Sequence, residues 1–257
     1  MNGAFYVGAI GLQSQQRALD VIAGNIANVS TPGFKRSEVR FSDVLALRDD
    51  PDVPRADLAD APLSGDGVLV DADPMINEAG ALQSTGHPMD IAVSGQGFIE
   101  LMGPDGQTIL WRGGTMKVGE DGMLASSNGM ALKAGITIPD DATAVTIGTD
   151  GTVSITTADS ATPTEVGQID VVRVDDPTGL QRLDGGLYRV TDGTRVTDAK
   201  PGEDGAGTLV QGSLENSNVD MSTEMVNLML VQRAYGANAE VVQAADQLMA
   251  IANGLRR

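Results

Sequence analysis

Apolar residues recur every seven positions at the two ends of the chain and fall into short, turn-punctuated runs in the middle. Phe5, Leu12, Leu19 and Ile26 keep the seven-residue spacing, with Ala9, Ile22, Ala23 and Val29 in the adjoining positions. This stripe predicts an amphipathic helix of coiled-coil type. Gln13, Gln16, Arg17, Asp20 and Asn25 are expected on its opposite face. Pro32 restricts Thr31 to extended backbone and Gly33 permits a sharp turn. The helix should therefore stop near Asn28 to Ser30, with Phe34 as a bulky anchor beyond the turn.

The pattern returns at the other end and predicts a helix from about Ser222 to about Asn253. Leu228, Tyr235, Val242 and Met249 recur every seven residues, and Val231, Asn238, Ala245 and Ala252 hold the second seam position. Met225, Ala234, Val241 and Leu248 widen the stripe. Asp220 or Ser222 can cap the first turn, where Glu224 is also well placed. At 1.5 Å per residue such a helix is roughly 45–50 Å long, more than a compact chain of this size offers as a packing partner. Apolar surface of that extent marks an interface, so the stripes are expected to pack against neighbouring copies.

Between the helices the chain reads as a series of strands. Ile91–Val93, Phe98–Met102, Thr108–Arg112, Ile169–Val174 and Leu187–Val190 are apolar runs bounded by Gly, Asp and Asn. Ala144–Ile147 and Thr152–Thr156 flank Thr149-Asp150-Gly151 as a hairpin. No helical pattern separates the strands, so parallel β-α-β architecture is not expected. The predicted class is α+β: a mainly-β central domain, an irregular barrel or sandwich, flanked by long terminal helices that form a coiled-coil layer. Residues 1–35 and 219–257 form the helical domain, 36–80 and 205–218 an extended connecting region, and 81–204 the β-rich outer domain. Residues 48–67, rich in Asp, Pro and Ala, read as an extended excursion.

Composition removes most chemistry. The 257 residues include no Cys and one His, so thiolate sites, multi-histidine metal sites and most triads are excluded. His87 precedes Pro88 in a loop and no Gly-x-Ser-x-Gly turn surrounds a serine. Gly95-Gln96-Gly97 lacks the third glycine of a dinucleotide fingerprint and opens no helix. The acidic run at 49–60, with Asp71 and Asp73, lacks calcium-loop spacing, and Trp111 is expected as a core or rim residue of the β domain. Glu120 and Asp121 sit in a turn, with nothing else pointing to a hydrolase. No catalytic, cofactor or metal site is expected.

Charge sharpens the picture. The net charge is −18, of which residues 41–218 carry −19, 1–40 carry +2 and 219–257 carry −1. An acidic body repels nucleic acid and anionic membrane, while near-neutral ends suit packing. No run of about 18 apolar residues exists to span a bilayer, and the N-terminus lacks the pattern of a cleaved leader.

Three stretches carry a family likeness. Ala18 to Arg36, with Asn25, Asn28, Thr31, Pro32, Gly33 and Phe34, closely resembles the N-terminal signature of bacterial flagellar rod and hook proteins. Gln211 to Asp220, with Asn216, Ser217, Asn218 and Val219, followed by Glu224-Met225-Val226-Asn227 and Gln232-Arg233-Ala234-Tyr235, resembles the C-terminal signature. Asp90 to Phe98 is similar to an internal block of the same family. The length resembles a rod subunit. The 48–67 excursion and the block from Gly135 to Gly151 look most like the distal rod, with the proximal rod and, further off, the hook as alternatives. The resemblance implies a structural subunit without bond-making chemistry. Its terminal helices would line a hollow, helically stacked tube with the β domain outside, and the tube would transmit torque. Implied partners are further copies, neighbouring rod and hook proteins, the bushing rings and the flagellar type III export apparatus. The implied location is the periplasmic rod, reached without a cleaved signal peptide. Phe5, Leu12, Leu19, Ile22, Ile26, Leu228, Val231, Tyr235, Val242 and Met249 are the expected assembly positions.

Overall fold

A computed structural model describes residues 2–43, 68–103, 106–158, 160–174, 179–183, 185–191, 194–203 and 205–254. The 48–67 excursion lies outside the described residues. Helix α1 spans Asn2–Ala27 and α2 spans Met221–Gly254. The strands between them are β1 (Ser37–Asp43), β2 (Val68–Pro74), β3 (Leu82–Ser84), β4 (Asp90–Ser94), β5 (Phe98–Met102) and β6 (Thr108–Trp111). Next come β7 (Gly113–Val118), β8 (Leu124–Ser126), β9 (Ala142–Ile147), β10 (Thr152–Thr157), β11 (Ser160–Gln168) and β12 (Val171–Val174). The last are β13 (Leu180–Arg182), β14 (Leu187–Val190), β15 (Val196–Ala199), β16 (Thr208–Gln211) and β17 (Ser213–Glu215). They fall into two compact units. One holds α1, β1, β2 up to Asp73, and α2; the other holds Asn28–Arg36 and Pro74–Val219.

In the helical unit α1 and α2 run antiparallel. A Cβ on Gly8 would run into Val242, and one on Gly11 would meet the Asn238 amide at 3.1 Å. Glycine thus lets the helix backbones approach closely. Further along the same face of α1 as Gly11, Ser14, Ala18, Ile22 and Asn25 are buried, at the i, i+4, i+8, i+11 spacing. Asn25 was expected on the polar face and is instead 2% exposed. Its Oδ1 accepts from the Ser37 N–H and its Nδ2 donates to the Ser37 carbonyl, both at 2.9 Å. The amide completes the backbone pairing of the first residue of β1, and that is why burial tolerates it. Gln13, Gln16, Arg17 and Asp20 are exposed. Asp220 caps α2: its carboxylate accepts the Thr223 N–H at 2.7 Å, and that bond holds the carboxyl below the usual carboxylate range.

The β unit contains a six-stranded sheet in the order β13-β14-β6-β5-β12-β15 and a four-stranded sheet β16-β4-β7-β8. A three-stranded meander β11-β10-β9 and a β17-β3 pair complete it. Neither large sheet closes, which corrects the barrel alternative. The short strands leave one sheet for another at glycine turns, so no continuous stagger carries the chain round a cylinder. Side chains alternate across the six-stranded sheet. Ile99, Ile109, Trp111, Val171 and Leu187 face the larger core shared with the four-stranded sheet. Phe98, Leu110, Val172 and Tyr188 face a smaller core on the other side. This is period-2 patterning with both faces covered, so the sequence shows apolar runs instead of alternation.

Gly113 permits the close pairing of β7 with β4, where it opposes Ala92. Its φ of 108° is unfavourable for other residues, and a Cβ would collide with the Ile91 carbonyl. Gly113→Ala is expected to destabilise the protein by about 1–3 kcal/mol, read from the midpoint of urea unfolding.

Candidate functional site

The most developed polar site is buried in the β unit, where the three motif stretches meet. Phe98 ends the Gly95–Gly97 turn and starts β5; Trp111 ends β6, so the next residue, Arg112, lies at the mouth of that turn. Arg112 is almost fully buried and directs its guanidinium at backbone carbonyls, Gly97 at 2.7 Å and Gly95 at 2.9 Å. Its Nε donates to Glu215 Oε2 at 3.1 Å. Glu215, the last residue of β17, accepts from Lys35 Nζ at 2.6 Å and from the Gly80 N–H at 2.8 Å through Oε1. Lys35 also donates to the Glu78 carbonyl at 2.6 Å.

Two cations thus share one carboxylate with almost no solvent. Burial is the main reason the Lys35 ammonium is held below its usual pKa, and the Arg112 charge lowers it further. The Glu215 carboxylate opposes both effects. The Arg112 guanidinium lies 5.7 Å from the Phe98 ring, and Phe98 meets Tyr188 edge-to-face at 5.5 Å. Burial pushes the Tyr188 hydroxyl up to about 12. The charged groups face one another and backbone carbonyls, so the chemistry of the site is attachment of chain segments.

The segment 28–36 is what they attach. Thr31 Oγ1 donates to Asn28 Oδ1 at 3.1 Å, and Gly33 turns the chain at φ 70°. The Gly33 N–H donates to the Glu215 carbonyl at 2.7 Å. Phe34 is buried beneath the Arg182 guanidinium, 3.8 Å from its ring centre, and Arg182 donates to the Lys35 carbonyl. Asn218 accepts the Arg36 N–H at 2.7 Å and donates to the Met75 and Glu78 carbonyls. Of the other motif positions, Pro32 and Asn216 are exposed, Ser217 accepts the Val219 N–H, and Val219 is buried.

The helix positions are distributed differently. Leu12, Leu19, Ile26, Leu228, Val231 and Val242 are half-buried, Ile22 is buried and Tyr235 is 39% exposed. Phe5 and Met249 lie within the helices, but their side chains are outside the described residues. Gln232 and Arg233 are exposed on α2. A second apolar stripe on α2 is open to solvent: Met225, Val226, Met229, Leu230, Val241, Leu248 and Ile251. At 100° per residue these positions fan over the side of the helix away from the seam of Leu228, Val231, Val242 and Ala245, with Met225, Leu230, Val241 and Leu248 at its flanks. The sequence reading singled out three of these seven positions and missed the ion cluster as a unit. A charged residue ending an apolar strand before Gly-Gly, as Arg112 does, was the available sign.

Three family models match the chain. "Flagella basal body rod protein" covers residues 5–35, "Flagellar hook protein FlgE/F/G D1 domain" covers 92–155, and "Flagellar basal body rod FlgEFG protein C-terminal" covers 210–255. Among curated relatives, flagellar basal-body rod protein FlgG of Borreliella burgdorferi is 35% identical over 100% of both chains. FlgG of Caulobacter vibrioides is 34% identical over 98% of this chain and 99% of the relative. FlgF of the same bacterium is 32% identical over 96% of this chain and 95% of the relative.

Glu215→Gln leaves two buried cations without a counter-charge and is expected to cost about 3–5 kcal/mol in urea unfolding. Lys35 gives a sign-specific test in alkali. Its folded-state pKa lies below the unfolded value, so the unfolded chain holds the proton more tightly. The penalty is complete below the folded pKa and is relieved as pH rises towards the unfolded value. Wild type should therefore gain stability relative to Lys35→Met as the pH is raised towards 10.5. Tyr188 titrates in both proteins and cancels in the difference. A difference that moves the other way rejects the assignment.

Proposed function

The chain belongs to the flagellar basal-body rod protein family, and on that premise we propose that it is a structural subunit of the distal rod. Copies assemble helically into a hollow shaft that carries torque from motor to hook. Its function is mechanical, and its associates are the other rod and hook components of the basal body. The rod lies in the periplasm, and the subunit reaches it through the flagellar export pathway. The bushing rings surround the acidic β units.

The observation that carries this reading is the apolar stripe of α2 opposite its seam with α1. A helix that is apolar on two opposite faces needs cover on both. One face is met by α1 of the same chain. Helices of neighbouring copies cover the other, in a coiled-coil layer that includes the uncovered parts of Leu12, Leu19, Ile26 and Tyr235. A heterologous interface of this kind extends without closing and builds a filament. Long helices nested between neighbours resist shear because sliding disrupts a whole seam together. A second reading, a proximal rod subunit of the same family, uses the same interface elsewhere along the shaft.

Leu230→Glu and Val241→Glu test the stripe, since both side chains are more than half exposed. Each variant should keep its unfolding free energy within about 0.5 kcal/mol, as surface changes do. Basal bodies purified from cells carrying either variant should lack the distal rod in electron micrographs, and the cells should not swim. Rods of normal length from both variants would remove the stripe from the assembly interface.

A further inference from the structure

The segment 28–36 is a poor candidate for independent order. Phe34 is its one buried large apolar side chain. Yet it is tied from several sides: the Glu215 carbonyl holds Gly33, the Glu215 carboxylate holds Lys35, and Asn218 holds Arg36. The same two residues also reach the third chain segment, Glu215 through Gly80 and Asn218 through Met75 and Glu78. Glu215 is itself fixed by Arg112, whose guanidinium also grips the Gly95–Gly97 turn.

The position of these ties in the chain matters. The backbone passes between the two compact units at 27/28, 36/37, 73/74 and 219/220. Arg36, Met75 and Asn218 stand beside three of those four crossings, and one side-chain amide joins all three. Charge-assisted bonds in a dry site are short and directional, so they resist displacement of one strand past another more than apolar contact does.

We propose that Lys35, Glu215, Arg112 and Asn218 form a mechanical clamp, which binds the 33–36, 75–80 and 215–218 segments so that force arriving along the chain cannot peel 28–36 from the β unit. The clamp fails as a unit: without it the segment detaches before the β core opens. This follows from the geometry of one chain and stands whether or not the chain forms a rod.

Single-molecule pulling on the full chain tests it. The absence of cysteine allows Ser30→Cys and Asp141→Cys to serve as the two handles, both positions being exposed and the first lying in the segment itself. Wild type should open its β unit without an earlier detachment of 28–36. Lys35→Met and Asn218→Ala should each add an early extension step at lower force, as the segment leaves the β unit before the core opens. Val153→Ala, a core change away from the clamp, should lower the opening force without adding that step. Hydrogen exchange supplies a second readout. In Asn218→Ala, which removes no buried charge, the Gly33 and Arg36 amides should exchange about tenfold faster or more, the factor for one lost hydrogen bond. Core amides such as Val171 should keep their protection. If Lys35→Met does not fold, Asn218→Ala decides. No early step, or Gly33 and Arg36 exchanging together with the core, would overturn the clamp and leave a general contribution to stability.

Discussion

One carboxylate holds the β unit in register with its own edges. Glu215 sits near the C-terminal end of the unit, yet its side chain neutralises Lys35, 180 residues away in sequence, and Arg112, 103 away. Neither cation could remain in that dry position without it, because transferring a lone ammonium or guanidinium from water costs far more than any one contact returns. The same residue uses its backbone carbonyl to hold Gly33. The turn after α1, the turn before β5 and the approach to α2 are therefore parts of one hydrogen-bonded structure. Such long-range closure forms only after the sheets that carry it have found their register.

The sheets make that register unambiguous. Every strand of the six-stranded sheet that enters the larger core also presents a residue to the smaller one, as with Ile99 and Phe98, or Leu187 and Tyr188. A slip by one residue would exchange two buried sets of different shape. Phe98 then fixes the other boundary of the polar site, lying between the Arg112 guanidinium and the Tyr188 ring. Apolar packing and ion pairing constrain each other here: the rings keep water out, and the dry surroundings strengthen the bonds among the charges.

The helical unit follows different physics. Its α1–α2 pairing relies on close approach at Gly8 and Gly11 and on half-buried aliphatic side chains, with few polar constraints. The helix α2 carries apolar residues on two opposite faces, and a single partner covers one of them. The cores of the β unit are built from its own residues, whereas the outer apolar stripe of α2 stays exposed among the described residues.

Local information in the chain was enough for the elements. The heptad spacing placed both helices to within a residue or two, since Pro32-Gly33 and Asp220 are stop and start devices that act locally. The Asp-Gly and Asn-Gly pairs placed the hairpins, and the three motif stretches identified the family. The absence of Cys and the lone His removed whole classes of chemistry before any fold was known. What periodicity could not reveal was which polar residues would be buried. Asn25 falls on the side of α1 that the pattern assigns to solvent, and only the backbone of Ser37 lying against it reverses that assignment. Lys35, Arg112 and Glu215 are ordinary charged residues in their own neighbourhoods; their opposite charges lie more than a hundred residues away and are brought near only by the fold. Patterning reports how a residue relates to its own helix or strand. Which face meets another element, and which charges are compensated there, is decided only when the tertiary structure brings distant segments together.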